Sequence, residues 1–183
     1  ADRERGIAIG PGTPFIIGSL SKQFTATAVM ALVADGRLQL DTSIGQLLAA
    51  VPADKYPITV RQLLSHTTGA RYGYSSPGYT ILAGSVEQVS GERYEHYVQR
   101  RLLDRAGLTA TRFIGTRSTL TGADAVLHSY TDDRDEGPIT AFPSPGFDFG
   151  AGDIITTAPD LHKWVAAVRN GVVMPREFAD QLF

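Results

Sequence analysis

The sequence contains no cysteine, and this absence excludes several kinds of chemistry at once. Disulfides, thiol nucleophiles and zinc sites built on cysteine are all ruled out. Lysine is also scarce, with three residues against fourteen arginines. Because arginine supplies most of the positive charge, a lysine placed in an apolar segment indicates a role that a permanently charged guanidinium cannot fill.

The sequence also lacks the features that select a nucleic acid or a membrane as partner. The net charge of −2 over 183 residues gives no basic footprint for nucleic acid. No uninterrupted apolar run reaches the length of a membrane span. No charged and then apolar leader begins at Ala1. A processed periplasmic or secreted bacterial protein would look the same, so the sequence leaves the compartment and the oligomeric state open.

What the sequence does contain is mostly helical periodicity, in a chain that is 43% apolar and 20% charged. Apolar spacing and capping residues predict helices over 19–35, 41–48, 60–65, 77–89, 92–105 and 157–168. Asp41, Thr59, Ser76 and Thr157 are the predicted capping residues, and Gly107 is the predicted stop of the helix over 92–105. Segment 115–148 is loop-like, with a short strand candidate at 125–130. This pattern favours an α+β protein or the helical lobe of a larger fold.

Ser19 and Lys22 form a candidate nucleophile and base. Residues three apart on a helix share a face, and a buried lysine can take the proton that makes a serine hydroxyl nucleophilic. The positive end of the helix dipole and the Ser19 N–H would stabilise a developing oxyanion. The alternative is a capping serine with an exposed lysine. The apolar helix that follows favours a buried start and therefore the catalytic interpretation.

Tyr74 and Ser76 lie on the turn that opens the helix over 77–89. In one interpretation Ser76 caps the helix, Pro77 begins it and Tyr74 packs against its neighbours. In the other, Tyr74 is a proton relay whose hydroxyl ionises more easily beside an ammonium group. The residues alone leave both interpretations open.

Four segments, taken in order, resemble one family of serine hydrolases. The family contains class C β-lactamases, D-alanyl-D-alanine carboxypeptidases and β-lactamase-like (family VIII) esterases. The resemblance implies a two-lobed α/β fold, in which an antiparallel sheet flanked by helices faces a helical lobe across the active site. The segments are FIIGSLSKQFTATAVMALVADGRLQLDTSIGQLL, ITVRQLLSHTTGA, YSSPGYTILAGSVEQVSGERYEHYVQRRLLDRAGLTATRF and FGAGDIITTAPDLHKWVAAV.

The resemblance implies a role for each matching residue. Ser19 would be acylated and its N–H would form half of the oxyanion hole, Lys22 would be the activating base, and Tyr74 would relay protons. Ser76 stands where many members carry an asparagine that contacts the substrate amide. A serine hydroxyl reaches less far and lacks the paired donor and acceptor of an amide, which favours an esterase or another peptidase over an efficient β-lactamase. No metal or organic cofactor is implied, and the expected partner is a small-molecule or peptide acyl substrate.

Three departures from the family pattern predict that residues 1–183 are one partial catalytic domain. The opening strands are mostly absent, and the third motif, Lys or His before a small residue and Gly, does not appear. The interval from the HTTG segment to Tyr74 is short, so we expect a gap near 70–74, and segment 115–148 could contain another. His66 in HTTG is predicted to be a hydrogen-bonded structural residue rather than a base. A catalytically inactive binding relative remains the alternative to an enzyme.

Overall fold

The computed structural model describes Gly6 and residues 8–69, 71–114, 128–131, 134–138 and 149–182; for 128–131 and 134–138 it describes the backbone alone. Helices account for about half of this part of the chain. They are α1 Lys22–Ala34, α2 Ile44–Leu47, α3 Val60–Leu64, α4 Ser76–Ser90, α5 Tyr94–Val98, α6 Asp104–Ala106, α7 Ala158–Arg169 and α8 Arg176–Ala179. Within the described ranges, no helix has the length and apolar character of a membrane span.

The strands form two small antiparallel sheets. β1 (Phe15–Ile16) and β2 (Arg112–Phe113) pair with opposite edges of β5 (Ile154–Thr156), which gives the order β1-β5-β2. β3 (His128–Thr131) pairs with β4 (Arg134–Pro138). Segment 115–148 was predicted to be loop-like, and β4 is a strand that the sequence pattern did not indicate. The candidate strand at 125–130 coincides with β3 at 128–130, and its first three residues lie outside the described part of the chain.

Helix α1 is the centre of the core. Ten of its residues between Lys22 and Leu32 are buried, so the helix is covered on all sides, as its apolar sequence predicts. It packs against α4, α5 and α8. Phe24 at 0% exposure stacks on Trp164 of α7, with ring centroids 4.1 Å apart. Because the turn that carries Ser19 leads into α1 at Lys22, this packing positions the candidate site.

Two predicted caps are confirmed by hydrogen bonds. Thr59 forms a capping box with Gln62 at the start of α3, and the Thr157 hydroxyl accepts from Asp160 N–H at the start of α7. The predicted stop at Gly107 is confirmed by its left-handed φ of 66°. Helix ends that carry strong local capping signals are therefore predicted correctly without tertiary information.

Three predictions of helix bounds or regularity differ from the structure. Asp41 does not cap a helix, because its carboxylate accepts from Arg61 at 2.9 Å, and α2 begins at Ile44. The segment 92–105 is not one regular helix: a π-helical stretch, Gln99–Leu103, separates α5 from α6. The third prediction, the helix start at Ser19, concerns the candidate site itself.

Candidate active site

Ser19 lies in a 3-10 turn, Gly18–Ser21, and not in the first turn of an α-helix as predicted. The turn is tied to strand β5 at two points. Ile17 N–H donates to Ile154 O at 3.0 Å, and Ile154 N–H donates to the buried Ser21 hydroxyl at 3.2 Å. These bonds to β5 hold the chain in the tighter turn, and α1 begins three residues later, at Lys22. Ser19 itself is exposed.

Lys22 is buried, with 6% of its surface exposed, and its Nζ lies 3.1 Å from Ser19 Oγ. The spacing of three residues does bring the two side chains together. The alternative of a capping serine with an exposed lysine is wrong on both counts, since Lys22 is buried and no side chain caps α1. The second partner of Lys22 is the carbonyl of Ala151, which accepts at 2.8 Å. The ammonium is thus held between the candidate nucleophile and a backbone oxygen.

A buried turn around Gly150 presents the Ala151 carbonyl to Lys22. Gly150 has a φ of 70°, which favours glycine, and a Cβ there would lie 2.6 Å from Ala83 Cβ. Its N–H donates to Asp153 Oδ2 at 3.0 Å, and its carbonyl accepts from the Thr25 hydroxyl at 2.5 Å. Thr25 also shares a 2.7 Å hydrogen bond with Tyr94. The lysine position therefore depends on a fully buried polar network behind it.

Tyr74 lies across from Lys22, with the ammonium nitrogen 5.0 Å from the centre of its ring. Its side chain is 56% exposed, and its ring packs on the His66 ring with centroids 4.7 Å apart. Hydrogen bonding to Lys22, followed by hydrogen bonding to Ser19, lowers the pKa of the Tyr74 hydroxyl from its ordinary 10.0. The positive charge of Lys22 and a hydrogen bond to Ser76 act in the same direction, against a partial desolvation penalty.

The four predicted site residues therefore converge, but Ser76 does not cap α4. The Ser75 hydroxyl accepts from Gly78 N–H at 3.1 Å and is the capping group. Ser76 is the first residue of α4, and its hydroxyl is left to face Tyr74. Ser75 and Ser76 are the same residue type, so capping propensity alone does not distinguish them. Their positions at the start of α4 do: Ser75 is the capping residue and Ser76 is the first helical residue.

A cavity of about 430 Å³ opens beside this cluster. Lys22 and Tyr79 line it, together with apolar side chains of α1 and α7 such as Met30 and Trp164. Ser19 and Tyr74 are not among its lining residues, so the cavity does not contain the candidate nucleophile. We do not assign it to the substrate.

Sequence reasoning missed the residues that hold the site in place, namely Ser21, Thr25, Gly150 and Ala151. Two of them left a signal. Ser21 and Thr25 are polar residues within an otherwise apolar helix segment, where a buried hydroxyl needs a partner. Nothing local marks Ala151, because it acts through its backbone carbonyl.

Comparison with known proteins identifies the family to which the chain belongs. The family model described as Beta-lactamase matches residues 1–183, and the chain belongs to this family. A solved class C β-lactamase from Rhodobacter sphaeroides superposes with a TM-score of 0.79 over 98% of this chain and 58% of that structure, at 20% identity. The resemblance to this family and its fold is thereby confirmed.

Two curated relatives show how widely the family's chemistry ranges. Penicillin-binding protein 4 of Amycolatopsis lactamdurans is 31% identical over 58% of this chain and 38% of its own length. Esterase EstB of Burkholderia gladioli is 35% identical over 46% of this chain and 21% of its own length. The chain spans between 35% and 53% of three curated relatives named as penicillin-binding proteins.

Proposed function

We propose that the protein is a serine hydrolase that acts through an acyl-enzyme on Ser19. The observation that carries the proposal is the distance of 3.1 Å between Lys22 Nζ and Ser19 Oγ. The same Nζ lies 5.0 Å from the centre of the Tyr74 ring. In its neutral form Lys22 takes the Ser19 proton while Oγ attacks the carbonyl carbon of the substrate. Membership of the Beta-lactamase family supports this assignment over an inactive binding relative.

Tyr74 moves the proton through the rest of the cycle in this proposal. The tetrahedral intermediate collapses when its leaving group takes a proton delivered by Tyr74, which leaves the acyl group on Ser19. Water then loses a proton to Tyr74 and attacks the acyl carbon, and Ser19 Oγ recovers its proton as it departs. The Ser19 N–H forms half of the oxyanion hole. The lowered pKa of the Tyr74 hydroxyl supports the relay, because its phenolate forms at a lower pH than that of a free tyrosine.

Covalent labelling of the intact protein tests the nucleophile. A fluorophosphonate or a penicillin is expected to add to Ser19, detected by mass spectrometry of the tryptic peptides, and the Ser19→Ala variant should take up no label. Ser90→Ala, at the far end of α4, is the matched control and should label normally. If no acyl reagent labelled Ser19, or if Ser19→Ala turned substrates over at the wild-type rate, the inactive binding relative would be favoured.

Ser76 supports an ester or an unusual amide as the substrate, rather than a β-lactam. Its hydroxyl donates and accepts through one oxygen and reaches less far, so it cannot present the separate carbonyl and NH2 groups that asparagine offers to a substrate amide. We therefore propose carboxylester hydrolysis as the second candidate function within the same mechanism. Turnover of p-nitrophenyl esters, D-amino-acid amides and nitrocefin would rank the three classes. Ser76→Asn is expected to raise amide or nitrocefin turnover relative to ester turnover, and an unchanged ratio would count against this role.

A further inference from the structure

Helix α3 ends in a Schellman motif whose left-handed residue is His66. Thr67 N–H donates to Gln62 O at 2.8 Å and His66 N–H donates to Leu63 O at 3.2 Å, the two hydrogen bonds that define the motif. The φ of His66 is 58°. Glycine is the usual residue at this position, because a Cβ in the left-handed region contacts the following carbonyl.

Glycine takes the left-handed conformation after four other helices of this chain. Gly36, Gly91, Gly107 and Gly171 follow α1, α4, α6 and α7, with φ values of 69°, 72°, 66° and 74°. Among the described residues, His66 is the only one other than glycine with a positive φ. A side chain kept in this strained conformation indicates that its surroundings use the side chain itself.

The contacts of His66 show what the side chain does. Its carbonyl accepts from Gly73 N–H at 2.8 Å, and its Nδ1 accepts from Ser75 N–H at 3.1 Å. These donors are the residues on either side of Tyr74. The His66 ring also packs on the Tyr74 ring, with centroids 4.7 Å apart. His66 thus contacts the residues on both sides of Tyr74 and the ring of Tyr74 itself.

The imidazole is suited to this task in its neutral form. Because Nδ1 accepts a hydrogen bond, the ring proton is assigned to Nε2. Burial, and then the positive charge of Lys22, lower the pKa of His66 from its ordinary 6.5. The acceptor lone pair is therefore present at neutral pH.

We propose that His66 is a positioning residue that holds segment 73–75 and keeps the Tyr74 hydroxyl beside Lys22 and Ser19. This inference rests on the proposed role of Tyr74 and deepens it. It agrees with the expectation that His66 is a hydrogen-bonded structural residue rather than a base, and it adds that His66 acts through Tyr74.

Two substitutions in the intact protein separate positioning from helix closure. His66→Asn keeps an acceptor close to the place of Nδ1, and asparagine tolerates the left-handed region. His66→Gly relaxes the backbone but removes the acceptor. We expect kcat/KM to stay within about 3-fold of wild type for His66→Asn and to fall at least about 10-fold for His66→Gly, as for a lost hydrogen bond that holds a reacting group. A helix-closing role alone predicts the reverse order, with glycine tolerated best, and that result would overturn the proposal.

A double-mutant cycle tests whether His66 acts through Tyr74. In a Tyr74→Phe background, His66→Gly should cause little further loss of kcat/KM, because the relay is already absent. Full additivity of the two losses would overturn the proposal. Tyr72→Phe, on the same exposed segment and in edge contact with His66, is the matched control and should keep wild-type activity.

Amide exchange distinguishes a failure of this inference from a failure of the proposed mechanism. The Ser75 amide should exchange slowly in the wild type and in His66→Asn, and measurably faster in His66→Gly. Equal rates of Ser75 amide exchange in all three proteins would contradict the claim that His66 holds segment 73–75 in place. If Tyr74→Phe kept the wild-type kcat/KM, the relay role of Tyr74 would be wrong, while Ser75 exchange would still report whether His66 holds the segment.

Discussion

Lysine and arginine are not interchangeable at position 22. In the proposed mechanism Lys22 accepts the proton of Ser19, whose Oγ lies 3.1 Å from Nζ, whereas a guanidinium stays protonated at any relevant pH. We expect Lys22→Arg to slow acylation of Ser19 by about 100-fold or more, the usual contribution of a general base, and almost as much as Lys22→Ala. Rates of fluorophosphonate labelling measure this directly. A near-wild-type rate in the arginine variant would show that Lys22 acts only through its charge.

The environment of Tyr74 predicts the pH dependence of the reaction. Its hydroxyl has a lowered pKa, chiefly through hydrogen bonding to Lys22, so the phenolate forms at a lower pH than in a free tyrosine. In the proposed cycle Tyr74 accepts a proton from water during deacylation, so the deacylation rate should rise with pH along a limb whose midpoint lies below 10.0. The hydrogen bond to Ser76 also lowers the pKa of Tyr74, by less than the bond to Lys22. Ser76→Ala removes this hydrogen bond and should therefore move the midpoint to higher pH.

Stopped-flow measurement of deacylation over a pH series checks this expectation. Tyr74→Phe should lack the limb, and Tyr72→Phe should keep it. A limb that survived in Tyr74→Phe would have to belong to another group.

At the scale of elements, the turn at Gly150 decides where Lys22 sits. Gly150→Ala would place a Cβ 2.6 Å from Ala83 Cβ at a φ of 70°, so the turn must shift and carry the Ala151 carbonyl with it. We expect a loss of about 1–3 kcal/mol in the free energy of unfolding, as for other overpacked sites, together with slower acylation of Ser19. Urea unfolding and labelling rates measure the two effects.

Gly84→Ala is the matched control for Gly150→Ala. Gly84 lies inside α4, and a Cβ there would meet nothing within 4 Å. This variant should gain up to about 1 kcal/mol from helix propensity and label normally. Equal stability of the two variants would contradict the packing argument for Gly150.

Sequence reasoning succeeded for elements whose signals are local. The capping box of Thr59 and Gln62 and the stop at Gly107 depend on neighbours a few residues away. It failed where distant partners intervene: Arg61 engages Asp41, and β5 holds the turn around Ser19. The strands β1, β2 and β5 were hard to predict, because two or three residues carry too little periodicity to distinguish a strand from a loop.

At the scale of the whole molecule, the contact between Phe24 and Trp164 joins the site helix α1 to α7. Both side chains are almost completely buried and their rings stack. Phe24→Ala should lower the free energy of unfolding by about 3–5 kcal/mol, and Phe24→Leu by less, because leucine fills more of the cavity. Trp164 is the single tryptophan, so its fluorescence during urea unfolding reports on this contact. A loss below about 1 kcal/mol in the alanine variant would contradict its place in the core.

The sequence by itself determined which residues are candidates for chemistry, because the three-residue spacing of Ser19 and Lys22 and the family pattern around Tyr74 are local features. Only the tertiary structure decided how they are held. Three contacts hold them: the Ala151 carbonyl with Lys22, the Ser21 hydroxyl with β5, and His66 with the segment around Tyr74. These contacts join residues that are between 8 and 133 positions apart, and several of them involve backbone atoms. A backbone carbonyl has the same chemistry at every residue, so its role is defined by where the fold places it.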